Sequence, residues 1–196
     1  KSFPGKNLTI INEDFLKFNL DSIKEPYVVA GNIPYYITSP IIMKLLTAKN
    51  KPENIVLLIQ KEVAERMAAS PGGKDYGALS AVVQFYTEPK LICRAEPHCF
   101  MPQPKVTSAV IHCPVRKAPP VEVKSEASLW RAVKAGFAQR RKTLVNSLQS
   151  GYPLPKDVLA AAIAECGLPA DVRGEKLSLA DYARLADALD AKLAEK

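Results

Sequence analysis

The sequence predicts an α/β sheet layered with helices, followed by a small all-helical domain. Short aliphatic runs alternate with helix-like stretches up to Val115, the pattern of strands joined through helices. After Pro119-Pro120 every periodic segment has helical spacing. The chain has 196 residues, 47% apolar and 24% charged. That is enough to bury a core without disulfide or metal staples, and it excludes long disorder.

The elements follow in order. Leu8 to Ile11 reads as a short buried strand, followed by the acidic pair Glu13-Asp14. Tyr27 to Ala30 is a second strand, closed by Gly31-Asn32-Ile33-Pro34. Ser39-Pro40 reads as an N-cap with proline at the first helical position, opening a helix over Ile41 to Leu46. Ile55 to Ile59 is a third strand and leads straight into a helix over Lys61 to Ala69. Pro71-Gly72-Gly73 breaks that helix, and Gly77 to Tyr86 forms the next. Lys90 to Ala95 and Val106 to Val115 are closing strands, joined by a proline-rich turn around Met101 to Pro104.

Arg116 to Ser125 is the natural linker, so the chain divides into 1–118 and 119–196. In the second part Leu129, Val133, Phe137, Leu144 and Leu148 form a stripe at roughly helical spacing. Lys156 to Cys166 is a helix stopped by Gly167-Leu168-Pro169, and Ser178 with Asp181 is a capping box opening the last one. A bundle of about three helices is expected.

Lys plus Arg is 27 and Asp plus Glu is 20, a net charge of +7. Such a balance suits a polyanionic partner. The charge is uneven: Ala127 to Pro155 holds five basic residues and no acid, whereas Lys156 to Lys196 holds six basic and eight acidic ones. No aliphatic run is long enough for a membrane span, and Lys1 to Gly5 contains no apolar stretch for a signal peptide. A cytoplasmic protein without membrane contact, acting as a monomer, is expected. The cysteines, Cys93, Cys99, Cys113 and Cys166, lack C-x-x-C spacing. They read as buried, reduced thiols on strands, and no metal is expected.

Asn32-Ile33-Pro34-Tyr35 follows a buried strand and precedes a capped helix. From average usage, an Asn-aliphatic-Pro-aromatic tetrapeptide arises by chance in roughly one chain in a few hundred. Alone it could be a proline turn that merely ends a strand. Its place at the carboxyl end of a parallel strand, however, is where α/β sheets bind ligands. The residue types suit attack by an aromatic exocyclic amine. The lone pair of such an amine is delocalised into its ring. A side-chain amide oxygen (Asn32) and a backbone carbonyl (Pro34) can accept its hydrogens and localise that pair. Pro34 also stiffens the turn, and Tyr35 offers a face for a stacked base, worth roughly 1–3 kcal/mol.

Gly31 to Pro40 resembles the catalytic loop of the ribosomal RNA adenine dimethyltransferases. Two further blocks agree in order and spacing. Phe100-Met101-Pro102-Gln103-Pro104-Lys105-Val106-Thr107-Ser108-Ala109-Val110 is similar to that family's second target-base segment, and Phe137 to Leu148, with Gln139-Arg140-Arg141-Lys142, to its basic helix. The resemblance runs over essentially the whole chain. It implies an S-adenosylmethionine-dependent, Rossmann-like sheet and a helical C-terminal domain. The implied activity is methylation of two adjacent adenosines near the 3′ end of small-subunit rRNA. By resemblance, Asp14 hydrogen-bonds the cofactor adenine and Phe15 flanks it. Asn32 lies between methyl donor and target amine. Tyr35 and Phe100 sandwich the target base. Lys105, Arg140, Arg141 and Lys142 bind RNA of the small ribosomal subunit. Three adjacent cations cannot share one helix face, so at least one is expected to support structure.

The sequence departs from the family in one region. It has no G-x-G loop for the methionine end of the cofactor, and no acid for the ribose hydroxyls. By resemblance the sheet is incomplete. The Leu8 strand lacks a neighbour and the Tyr27 strand has an open edge. The chain is expected to be an inactive fragment that binds S-adenosylmethionine weakly or not at all. Competing readings are the related large-subunit rRNA methyltransferase of antibiotic resistance, a non-catalytic RNA-binding assembly factor, and a DNA-binding factor built on the same fold.

Overall fold

A computed structural model describes residues 8–195. Lys1 to Gly5, read above for a signal peptide, lie outside the described residues. Four strands form one sheet: β1 (Val28–Asn32), β2 (Asn54–Gln60), β3 (Lys90–Ala95) and β4 (Ser108–Pro114), in the order β1-β2-β4-β3. Helix α1 (Thr38–Thr47) carries the chain from β1 to β2, which pair in parallel with Asn32 opposite Leu58. A parallel pair needs such a crossover. Helices α2 (Lys61–Met67) and α3 (Ala78–Tyr86) follow, and β4 then inserts antiparallel between β2 and β3.

Strand alternation sorts the side chains. Ile55, Leu57 and Ile59 of β2, with Ala109, Ile111 and Cys113 of β4, are buried in a core with Ile41, Ile42, Leu45 and Leu46 of α1 and Met67 of α2. Each isoleucine, leucine or methionine among them contributes about 1.5–3 kcal/mol relative to exposure. Val28 and Val56 alternate to the other face and remain exposed.

The helical part contains α4 (Glu126–Gly136), α5 (Leu144–Leu148), α6 (Lys156–Glu165) and α7 (Leu179–Ala194). Its core joins Leu129, Val133, Leu144, Leu148, Leu159, Ile163, Tyr182, Leu185 and Leu189. Tyr76, Ala81 and Phe85 belong to this core, whereas Val83 belongs to the sheet core. Helix α3 thus serves both. Gly167 stops α6 at φ 72°, a left-handed conformation that favours glycine. Ser178 and Asp181 form the expected capping box.

Several sequence expectations need correction. Leu8 to Ile11 is not a strand: it pairs with no described strand, and Ile10 is 82% exposed. Apolar β-propensity cannot hold a strand that has no ladder partner. Strand β1 does lie at the sheet edge, as expected. Helix α1 starts at Thr38, two residues before the expected proline, because Tyr35–Ile37 form a 3-10 turn that leads into it. Pro40 still falls in the first helical turn, where its missing N–H has no intrahelical partner to lose. The stripe from Leu129 to Leu148 is not one helix. It breaks after Gly136, Ala138 to Lys142 form a turn, and the bundle has four helices among the described residues. The cysteines also differ: Cys113 is buried on β4, but Cys93 and Cys99 are exposed and Cys166 is half-buried at the end of α6. Burial pushes the Cys113 thiol up to about 12.

Candidate active site

Strand β1 delivers Asn32 to the carboxyl end of the sheet, where its side chain is exposed. The next residue anchors the turn: Ile33 is buried, and its N–H donates to the Leu58 carbonyl at 3.2 Å. Pro34, at φ −57° and ψ 134°, starts the 3-10 turn. The Pro34 carbonyl accepts from the Ile37 N–H at 3.1 Å and from the Thr38 hydroxyl at 3.3 Å. Both lone pairs are engaged, which corrects the expectation that this carbonyl faces a target amine. Pro34 and Thr38 instead hold the turn rigid.

Tyr35 is half-buried, and its hydroxyl lies 2.7 Å from the Ser108 hydroxyl. Ser108 opens β4 opposite Gln60 and Ala95 and is 1% exposed. The Lys61 N–H donates to the Thr107 carbonyl at 3.0 Å, and the Thr107 hydroxyl donates to Glu96 at 2.9 Å. The structure thereby brings the first two sequence motifs together at one end of the sheet. Phe100 stands half-buried at the end of a short 3-10 turn, its N–H on the Pro97 carbonyl. Lys105 is exposed in the loop before β4, and Met101 and Tyr36 are 100% and 88% exposed.

Asp14 opens a tight turn. Its carboxylate accepts the Leu16 N–H at 2.9 Å, and its carbonyl accepts the Lys17 N–H at 2.8 Å. Phe15 is half-buried and lines a groove of about 250 Å³ with Ile11, Glu13 and Phe18. The Lys44 ammonium lies 5.9 Å from the Phe15 ring centroid and donates to the Leu16 carbonyl at 2.6 Å. This apolar ring and the adjacent carboxylate suit a flat heterocycle with an exocyclic amine.

Arg140, Arg141 and Lys142 occupy the turn between α4 and α5, and all three are exposed. None makes an ion pair with another described residue. Lys142 borders a polar groove of about 380 Å³ with Gln139, Asn146, Gln149 and Ser150. No hydrogen bond among the described residues joins this turn to the Asn32–Tyr35 turn. Two contributors escaped the sequence reading: Thr38, as a bond to Pro34, and Ser108, as the partner of Tyr35. Neither position carries a sequence signal stronger than a hydroxyl beside a strand or helix end.

Comparison with known proteins bears on this geometry. The family model for ribosomal RNA adenine dimethylase matches residues 1–191. Ribosomal RNA small subunit methyltransferase A of Lachnoclostridium phytofermentans is 48% identical, over 95% of this chain and 67% of that protein. The protein of that name from Alkaliphilus oremlandii is 43% identical, over 95% and 68%. The chain thus spans about two thirds of the length of these relatives. A dimethyladenosine transferase from Plasmodium falciparum shares the fold at TM-score 0.79 and 24% identity, over 95% of this chain and 74% of that one. The 23S rRNA methyltransferase ErmE superposes at TM-score 0.66 and 26% identity, over 92% and 71%. On the family match and these identities, the chain belongs to the ribosomal RNA adenine dimethylase family.

Proposed function

We propose that this chain is the Asn32–Tyr35-bearing part of an S-adenosylmethionine-dependent adenine-N6 dimethyltransferase. Its substrate is small-subunit rRNA, and its role lies in ribosome biogenesis. The single observation that carries the reading is an exposed Asn32 side chain on a turn fixed by Ile33, Pro34 and Thr38. S-adenosylmethionine would supply a methyl group on a sulfonium centre. Phe15 and Asp14 suit the adenine end of that co-substrate. The sequence offers no G-x-G loop for its other end, so weak binding by this chain alone is expected. A micromolar Kd by calorimetry would contradict that.

Asn32 would orient the target amine through its amide oxygen and draw electron density onto nitrogen. The second acceptor falls to the Ile33 carbonyl, since the Pro34 carbonyl is engaged. Tyr35 stacks on the target base, with its ring fixed through Ser108, and Phe100 covers the other face. Extruding the adenosine costs a few kcal/mol, which stacking on Tyr35 offsets. Lys105 and the Arg140-Arg141-Lys142 turn hold the RNA backbone. The division at 118/119, the monomeric state and the cytoplasmic location belong to the same proposal. Among the described residues no helix is long and apolar enough to cross a membrane. The small-subunit assignment is supported by the relatives named small subunit methyltransferase A, at 48% and 43% identity.

The test is methyl transfer from labelled S-adenosylmethionine to undermethylated small ribosomal subunits. This chain is run beside a form extended at its amino end to the length of its relatives. The expected product is dimethyladenosine at two adjacent positions of the small-subunit rRNA, read by mass spectrometry, from the extended form. Product only in large-subunit rRNA, or none, would overturn the proposal.

A further inference from the structure

A second cationic site is assembled at the end of the sheet remote from Asn32. Lys49, Lys51 and Glu53 from the α1–β2 connection and Asn54 at the start of β2 meet Arg116 and Lys117 beyond β4 around a groove of about 510 Å³. Asn54 and Leu58 are four residues apart on β2, and Asn32 pairs with Leu58. The groove therefore lies roughly 13 Å along the strands from Asn32, at about 3.3 Å per residue.

Of its four cations, only Arg116 makes an ion pair or hydrogen bond through its side chain to another described residue. It binds Glu88 at 2.8 Å and the Gln84 and Thr87 carbonyls. Lys49, Lys51 and Lys117 make no ion pair with another described residue, and Glu53 is the groove's one acid. The loops that hold these lysines are fixed. The Tyr27 hydroxyl donates to the Asn50 carbonyl at 2.8 Å, Asp21 accepts the Asn50 N–H at 3.2 Å, and the Asn50 amide donates to the Ile23 carbonyl. The Val115 N–H donates to the Glu53 carbonyl at 2.9 Å and the Arg116 N–H to the Tyr86 carbonyl at 2.8 Å. The Lys51 ammonium rests 5.3 Å over the Tyr86 ring.

We infer that this groove is a second RNA-backbone site. It takes phosphates from a stretch of substrate RNA other than the one that presents the adenosine. The inference rests on the rRNA reading above. Lysines free of carboxylate partners on ordered loops are suited to phosphates, and such contacts set register without reading sequence. A protein partner fits less well. Pro52 is buried and Val115 half-buried, so the groove lacks an exposed apolar anchor of the kind that dominates protein interfaces. The site unites residues 49–51 with residue 117, and so a count of charge along the sequence does not find it.

The experiment is fluorescence anisotropy of this chain with a 3′-terminal fragment of small-subunit rRNA across a salt series. K49Q/K51Q/K117Q is compared with R140Q/R141Q/K142Q. A third variant, K74Q/K156Q/R173Q, removes the same charge from exposed positions elsewhere. At about 0.7–0.9 per bound phosphate, the groove variant should lower the slope of log K against log salt by about 2–3. The K74Q/K156Q/R173Q control should leave the slope unchanged. If the groove variant does not fold, as judged by circular dichroism, the single variants K49Q and K117Q should each lower the slope by about 0.7–0.9. A groove variant indistinguishable from the control, while the turn variant weakens binding, overturns this inference alone. So does a groove variant that loses binding to a labelled poly-glutamate peptide, titrated in parallel, while its RNA binding equals that of the unaltered chain. No RNA binding by the unaltered chain overturns both this inference and the rRNA reading.

Discussion

The hydroxyls of Tyr35 and Ser108 lie 2.7 Å apart across 73 residues of sequence. One side chain is on the turn after β1 and the other at the buried start of β4. The bond fixes the ring on which a target base would stack. It also ties two segments that the sequence presents as separate motifs.

That bond can be measured by a double-mutant cycle. Tyr35→Phe keeps the ring and leaves the buried Ser108 hydroxyl without its tyrosine partner. The Tyr35→Phe and Ser108→Ala single and double variants should show a coupling of about 0.5–1.5 kcal/mol in urea unfolding. Additive effects would mean that the two hydroxyls do not support each other.

The exposed turn of Arg140, Arg141 and Lys142 should act through charge. Alanine at all three should lower the salt slope of RNA binding by about 2–3, near 0.7–0.9 for each phosphate no longer neutralised. Unfolding by urea should barely change, because none of the three has an ion-pair partner among the described residues. A large loss of stability would restore the structural role that the sequence suggested.

Acid should weaken the cap of α7. Burial opposes ionisation of Asp181, but the Ser178 hydroxyl and N–H together with Arg184 outweigh it and hold the carboxyl below its ordinary value. A carboxyl depressed in the folded state stabilises above its unfolded value, near 3.9, and loses that contribution as pH falls through the folded value. Asp181→Asn should cost about 1 kcal/mol at neutral pH. It should also flatten the stability profile below about pH 4, followed by thermal unfolding.

Gly174 is required by a close approach of backbones. A Cβ there would strike the Gly136 carbonyl oxygen and lie 2.8 Å from the Tyr182 hydroxyl, which donates to the Gly174 carbonyl at 3.0 Å. Gly174→Ala should destabilise by about 1–3 kcal/mol or more, since the neighbours are backbone and a buried ring. An unchanged urea midpoint would show that the Gly174 turn and the end of α4 can separate freely at this point.

The sheet was legible in the sequence because its strands are short aliphatic runs bounded by glycine, proline and asparagine. Lys90–Ala95 and Asn54–Gln60 sit where the pattern puts them. The site turn was legible because proline between Asn32 and Tyr35 restricts the backbone locally. What the pattern missed depends on partners far along the chain. Leu8 to Ile11 has strand chemistry but no neighbour to pair with. Phe137 has helix spacing, yet α4 ends at Gly136 and the three cations stand on a loop. The Pro34 carbonyl looked free until Thr38 came round to bond it. The lysines at 49, 51 and 117 form a group only once β2 and β4 pair.

The most direct test is Asn32→Ala in the amino-extended form, assayed by single-turnover methyl transfer to undermethylated small subunits. RNA binding and co-substrate binding are measured alongside. The predicted result is a loss of about 10²-fold or more in the transfer rate, with both affinities within a few-fold of the unaltered protein. Transfer at a near-normal rate would show that Asn32 does not orient the amine and that the catalytic centre lies elsewhere.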